Sequence, residues 1–249
     1  VYRLEVATQK EHQTGCIELY ANEGVSYVMS VAEMRKHSVV GEVTDGNLDI
    51  GLRSAPGNAC RWTTMSDVNL VYNSPVMMLK TVIAEAETLT YGTDAGTLQK
   101  ALTEAETLLS EGEATERMSA YHALKDAIKQ YRIANASETY PVDMTEKVKN
   151  ASLDMCNTTH WMVTSSDAGY PMFNMGVAEF YHSTFDLSQV VNNLPVGNYR
   201  VSMQARSNMA ETNKGFYIYA KQTGGATIKE FATDATIQEG ADLTLHLGQ

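Results

Sequence analysis

Val43-Thr44-Asp45-Gly46-Asn47-Leu48-Asp49-Ile50-Gly51-Leu52 is the stretch whose period decides the fold. Leu48, Ile50 and Leu52 alternate with polar or small partners, which is the spacing of a strand with one buried face. Val39, Val40 and Val43 approach from the other side. Asp45-Gly46 between two such runs predicts a type I′ hairpin, because both central residues of that turn need positive φ. The same period extends outward. Tyr2, Leu4 and Val6 alternate with Arg3 and Glu5, and Ile17 and Leu19 with Glu18 and Tyr20. Trp62 is expected in the core, opening a last strand whose Val68, Leu70 and Tyr72 alternate inward, and Ser74-Pro75 closes the segment. Residues 1–74 read as β.

The period changes over residues 75–136. Leu98, Ala101, Leu102, Ala105, Leu108 and Leu109 fall on one helical face, as do Met118, Tyr121, Leu124, Ile128 and Tyr131. Thr93-Asp94 and Gly112 are start and stop signals, Thr115 marks another start, and a further helix is expected over Val76 to Leu89. Glu-Ala-Glu-Thr-Leu occurs at 85–89 and again at 104–108, which suggests diverged copies. Three short antiparallel helices with charged solvent faces would act as a spacer.

Strand periodicity returns in residues 137–249, at Tyr199, Val201 and Met203, at Phe216, Ile218 and Ala220, and at Leu243, Leu245 and Leu247. The two β segments match each other. Val1-Tyr2-Arg3-Leu4 corresponds to Asn198-Tyr199-Arg200-Val201, and Leu48-Asp49-Ile50-Gly51 to Leu245-His246-Leu247-Gly248, both at an offset of 197. Ile17-Glu18-Leu19-Tyr20-Ala21 matches Phe216-Tyr217-Ile218-Tyr219-Ala220 at an offset of 199. Three matches in order point to two copies of one β domain. Neither copy reads as complete, so the chain is expected to continue in both directions or to take strands from another chain.

Composition removes several classes. With 249 residues, 43% hydrophobic, 20% charged and 5 prolines, the chain is not a disordered one. No stretch approaches the ~20 apolar residues of a membrane span. Its 19 Lys and Arg against 30 Asp and Glu leave a net charge of −11. That sign argues against nucleic acid and anionic lipid, since counterion release needs a dense basic face. Cys16, Cys60 and Cys156 are far apart without CxxC, so neither a disulfide framework nor a zinc site is expected. Each reads as a small buried hydrophobe, with Cys16–Cys60 as a bridge if strands bring them together. The chain opens on a strand, without a signal peptide or an initiator methionine, and reads as an excerpt.

Ala178-Glu179-Phe180-Tyr181-His182-Ser183-Thr184-Phe185-Asp186-Leu187-Ser188-Gln189, then Leu194-Pro195-Val196-Gly197-Asn198-Tyr199-Arg200, resembles the galactose-binding-like β-sandwich modules of secreted Bacteroidetes proteins. Their acidic-aromatic strand with Phe-Asp is followed by Leu-Pro-x-Gly-x-Tyr and a long core strand. Val43 to Leu52, Trp62, and Ser66-Asp67-Val68-Asn69-Leu70-Val71-Tyr72 resemble the closing hairpin and final strand of the same modules. One departure is Val68, where those modules carry an aromatic. Residues 75–136 resemble the three-helix bundles that separate such modules. The resemblance covers 1–74 and 150–249. It implies a multi-domain, mainly β chain: the C-terminal part of one jelly-roll sandwich over 1–74, a three-helix bundle over 75–136, and a second sandwich lacking its last strand over 137–249. It also implies a secreted or bacterial cell-surface setting and a role in glycan binding or adhesion.

The chemistry points the same way. GxSxG, SxxK, HExxH, Walker and GxGxxG patterns are absent, so no enzyme and no cofactor are expected. Asp45-Gly46-Asn47-Leu48-Asp49 mimics the start of an EF-hand, but Ile50 and Pro56 stand where glycine and glutamate belong. His160 and His182 are the one connectable histidine pair, too few ligands for a tetrahedral metal. The sequons at Asn135, Asn150 and Asn157 carry weight only in a eukaryotic secreted protein. Sugars stack their C–H faces on exposed aromatic rings while hydroxyls meet polar groups. Trp161, Tyr170 and Tyr181 are the candidate rings and Glu179 the polar partner. Trp161 has a second reading as a core anchor, and Tyr181 alternates with Phe180, so one of these two faces outward. The expected partners are a glycan or surface glycoprotein, and neighbouring copies of the chain. Accessory modules of a glycoside hydrolase, and a strand-exchanging filament subunit, are the alternatives.

Overall fold

The structure, a computed structural model, describes the chain except for residues 11–15, 29–32, 55–59, 91, 93–94, 154–157, 175–176, 206–216, 222–224, 226, 232–240 and 248–249. It is strand-rich, with three helices and several small antiparallel sheets. Residues Val1–Asn192 and Asn193–Gln249 form two compact units.

In the first unit β1 (Tyr2–Lys10) is flanked by β4 (Arg35–Gly41) and β6 (Thr63–Tyr72), all antiparallel. A second sheet places β2 (Ile17–Ala21) between β3 (Gly24–Tyr27) and β5 (Ile50–Ser54). Alternation tells how they meet. Leu4 and Val6 of β1, Leu19 and Ala21 of β2 and Val39 of β4 form one buried cluster, with Leu48 and Leu52 packed against it. Burying these side chains stabilises by roughly 1.5–3 kcal/mol each for the larger ones. Glu18 is buried on β2, where a charge is tolerated when it is paired. Arg53 Nε meets its carboxylate at 2.7 Å, and the guanidinium also lies over the Tyr20 ring.

Asp45-Gly46 does not make the expected hairpin. β4 pairs with β1 whereas β5 pairs with β2, so residues 42–49 carry the chain from one sheet to the other. The turn residues serve that link. Asp45 Oδ1 accepts the Asn47 N–H at 2.9 Å, and this bond holds the carboxyl below its ordinary range. Asn22, at φ +50°, clamps the link from the β2–β3 turn. Its Nδ2 donates to Glu42 O at 2.7 Å, and its Oδ1 accepts from Asp49 N at 2.8 Å.

β6 follows β1 from Tyr2↔Tyr72 to Lys10↔Thr63, with a register slip between Glu5 and Ala7. Asp67, at φ +52°, is the extra residue there, a β-bulge. The bulge resets the phase of the strand. Met65, three residues from Val68 rather than two, falls on the same face as Val68, Leu70 and Tyr72. This is the face on which β1 buries Leu4, Val6 and Thr8. The second sheet packs on β1 and β4. The four β6 side chains stay 46–54% exposed. Trp62, expected in the core, is also 46% exposed.

The helices α1 (Pro75–Glu87), α2 (Gly96–Glu111) and α3 (Ala114–Ala134) share a separate core. Leu79, Val82, Ile83, Ala86, Leu98, Ala105, Ala120, Leu124, Ala127, Ile128 and Tyr131 are buried in it. Ala86 and Ala105 are the same residue of the repeated Glu-Ala-Glu-Thr-Leu, and both are inside. The start of α2 foreseen at Thr93-Asp94 lies outside the described residues. Gly112 ends α2, its N–H donating to Leu108 O at 2.9 Å. Glu113 and Glu116 form a capping box at the start of α3. Ser74 caps α1, accepting the Met77 N–H at 3.2 Å, and Pro75 follows at a position where its missing N–H costs nothing. Ser74→Ala is expected to destabilise by about 1 kcal/mol and Ser74→Gly by a few tenths. Thermal unfolding in which the two variants match would show that the hydroxyl is not the stabilising group.

The first unit ends with β7 (Met162–Ser165) paired to β10 (Phe185–Ser188), and β8 (Met172–Asn174) paired to β9 (Val177–Glu179). In the second unit β11 (Tyr199–Ala205) pairs with β14 (Ala241–Leu247), and β12 (Tyr217–Lys221) with β13 (Thr227–Phe231). β11 to β14 thus have the order and pairing of β1 to β4: outer strand, hairpin, return strand. Phe216 and Gly248 lie outside the described residues. The match of Leu48–Gly51 with Leu245–Gly248 occupies different places. Ile50 and Gly51 lie beside Ala21 and Tyr20 of β2, whereas Leu245 to Leu247 lie beside Val201 to Tyr199 of β11. Cys16 and Cys60 are not joined by a disulfide, so the conditional bridge is not formed. Cys60 Sγ donates instead to Trp62 O at 2.9 Å, and Cys156 lies outside the described residues.

Candidate functional site

Two of the expected rings come together. A turn after β7 places Tyr170: Asp167 Oδ1 accepts the Gly169 N–H at 2.8 Å, and Asp167 O accepts the Tyr170 N–H at 3.2 Å. The segment before β10 places Tyr181. Thr184 and Ser166 exchange two bonds of 2.9 Å, Thr184 N–H to Ser166 Oγ and Ser166 N–H to Thr184 O. Phe180 and Phe185, on either side of Tyr181 and His182 in sequence, stack face to face with centroids 3.8 Å apart. Tyr170 and Tyr181 lie with ring centroids 6.3 Å apart and planes tilted by 45°. Tyr181 is 57% exposed, and its ring lies 4.2 Å from that of His182.

Alternation had left open whether Phe180 or Tyr181 faces outward. Tyr181 is the more exposed of the two, with Phe180 half-buried in its stack. His182 adopts φ +47°, a left-handed conformation that histidine enters more often than most residues. It joins the tyrosines rather than His160. Ser183 Oγ is buried beside it in sequence, without a hydrogen-bond partner among the described residues.

The other two expected residues stand apart. Trp161 is half-buried, its indole N–H donating to Asn150 O at 3.0 Å and its backbone N–H to Thr158 O at 2.7 Å. It makes no ring contact with Tyr170 or Tyr181. It precedes β7 and is not among the buried core residues. Glu179 is exposed on β9, opposite Met172. Sequence reading passed over Gln189, whose side-chain amide accepts from Lys149 N at 2.7 Å and donates to Lys149 O at 2.8 Å. That clamp ties the segment after β10 to residue 149. A lone glutamine in a polar run gives no sign of it.

The set offers two tilted ring faces, two phenol hydroxyls and an imidazole. Such a surface can stack on a flat apolar face and hydrogen-bond around its rim. Among the described residues no group of three or more His, Cys, Asp and Glu is placed to hold a metal ion, and no helix is long and apolar enough to cross a membrane. Fold and surface together define a strand-rich protein with a three-helix segment and an aromatic pair of which Tyr181 faces solvent. No protein-family model, curated protein or solved structure matches the chain.

Proposed function

We propose that this chain is a non-catalytic, glycan-binding or adhesive module of a secreted or bacterial cell-surface protein. In this reading the β segments are galactose-binding-like jelly-roll sandwiches and α1 to α3 a spacer bundle between them. The observation that carries the proposal is the pair of half-buried Tyr170 and exposed Tyr181, 6.3 Å between centroids, with the His182 ring against Tyr181. Two neighbouring tilted rings suit the C–H faces of a pyranose, while phenol and imidazole groups beside them suit its hydroxyls. A surface that reads glycans needs no general acid or nucleophile. The net charge of −11 favours neutral sugars over sulfated or uronic ones, because a like-charged ligand is repelled.

The test is a glycan array probed with the intact chain, followed by affinity measurements on any neutral glycan retained. Tyr181→Ala and Tyr170→Ala are each expected to weaken binding at least about tenfold, the equivalent of ~1.4 kcal/mol. Tyr140→Ala, an exposed tyrosine elsewhere, should leave affinity unchanged. An array without a retained glycan, or a Tyr181→Ala chain that binds as the parent does, would overturn the reading.

A further inference from the structure

We propose that the free edge of β6 takes an extended peptide strand of another protein, one whose side chains alternate between apolar and polar and which brings a basic residue to Asp67. The inference stands apart from the glycan reading, because it uses a different surface.

The two edges of the β4–β1–β6 sheet differ. β4 carries Arg35 and Lys36, both exposed, and such charges are the usual guards against a further strand. β6 carries neither lysine, arginine nor proline over Thr63–Tyr72. It runs along β1 and ends its side of the sheet, so every second residue turns its main-chain N–H and C=O away from β1. Met65, Val68, Leu70 and Tyr72 line the core side of the strand and yet are about half exposed. Val68, Leu70 and Tyr72 alternate, the spacing at which an added strand sets its own side chains beside those of its neighbour.

Area and charge select the occupant. At that exposure the four side chains present about 400 Å² of surface, whereas each partner of a standard interface between folded proteins buries ~800 Å². A second folded copy seated on this strip alone falls short. A single strand does not need that area, because its main-chain ladder supplies affinity and its alternate side chains specificity. The charge is Asp67. It stands exposed at the bulge, at φ +52°, and its Oδ2 accepts the Ser66 hydroxyl at 3.1 Å. It forms no ion pair among the described residues. Glu5 on the neighbouring strand, by contrast, meets Arg3 at 3.0 Å and accepts from Asn69 at 3.1 Å. A lysine or arginine on the incoming strand gives Asp67 the cation that this sheet does not, and an acidic residue there is repelled.

The experiment titrates the intact chain into the fluorescein-labelled peptide Val-Thr-Val-Lys-Val-Thr-Val and follows anisotropy. Saturable binding is expected, with a Kd below about 1 mM. Val-Pro-Val-Lys-Val-Pro-Val keeps the valines and the charge but loses ladder donors, and should bind at least about tenfold more weakly. Leu70→Glu should weaken the threonine peptide by about tenfold or more. Asp67→Asn should weaken it about two- to fivefold, the size of an exposed ion pair, and leave a peptide with Thr in place of Lys unaffected. Amide exchange gives a readout free of substitutions: with the peptide bound, Thr63–Tyr72 should slow while Arg35–Gly41 stays as it was. No saturation up to about 1 mM, equal affinity for the threonine and proline peptides, or slowing confined to β4 overturns the proposal. Asp67→Asn binding the lysine peptide as the parent does overturns the basic residue. A chain that associates with itself at the same concentrations, and slows exchange in Thr63–Tyr72 without peptide, also overturns the proposal, because a second copy is then the occupant.

Discussion

Gly24→Ala should cost the first unit roughly 3–5 kcal/mol, a size reserved for substitutions that force backbone apart. A Cβ at Gly24 would lie 2.0 Å from Val40 O and 3.1 Å from Val40 C, both backbone atoms of β4. No rotamer change relieves a clash with main chain. β3 must retreat from β4, and with it the β2–β3 hairpin that covers Leu4 and Val39. Gly41 tells the same story from the other strand, its Cβ position falling 2.7 Å from Ala21 O. Gly96 is the control. Nothing lies within 4 Å of a Cβ there, and Gly96→Ala at the start of α2 should be neutral or stabilising, by up to about 1 kcal/mol. Urea unfolding reads both. If Gly24→Ala loses less than about 1 kcal/mol, the two sheets are not in close contact at this point.

Leu124→Ala should destabilise the helical segment by about 2–5 kcal/mol, the range for emptying a leucine site in a packed core. Leu124 is fully buried in a core to which all three helices contribute. The helical cluster and the Leu4–Leu19 cluster are separate. Leu4→Ala should therefore add to Leu124→Ala within about 0.5 kcal/mol, as independent sites do. Strong non-additivity in a denaturant series would mean that the two cores act as one.

Much of the secondary structure was legible because side-chain period records burial. Leu4 and Val6 alternate and are buried. Leu98, Ala105, Leu124, Ile128 and Tyr131 recur at helical spacing and are buried too. Pairing was less legible. Asp45-Gly46 has the residues of a tight turn, and a turn does form, but alternation says which face is buried and not which sheet a strand joins. The same limit explains Leu245 to Leu247, whose pattern copies Leu48 to Gly51 while its neighbours differ. Val68, Leu70 and Tyr72 were read as inward, and they do point to the core side. Their exposure depends on how far the second sheet reaches, which no local pattern encodes. At the candidate site, sequence reading named Tyr170 and Tyr181 as rings but not their nearness to each other. The contribution of His182 depends on a positive φ, and the role of Trp161 on a bond to Asn150 O, and neither has a sequence signature.

The pairing of Tyr2 with Tyr72 also sets an order of events in biosynthesis. β1 carries Leu4 and Val6, but its β6 partner is made some seventy residues later. Until then one edge of the strand is open, and closing so long a loop is slow. The helices draw their contacts from within about sixty residues and need no such wait. A ribosome making these residues thus extrudes β1 well before β6 can pair with it, and the faster-folding helices only after both. The interval between β1 and β6 is where a holdase would find its substrate.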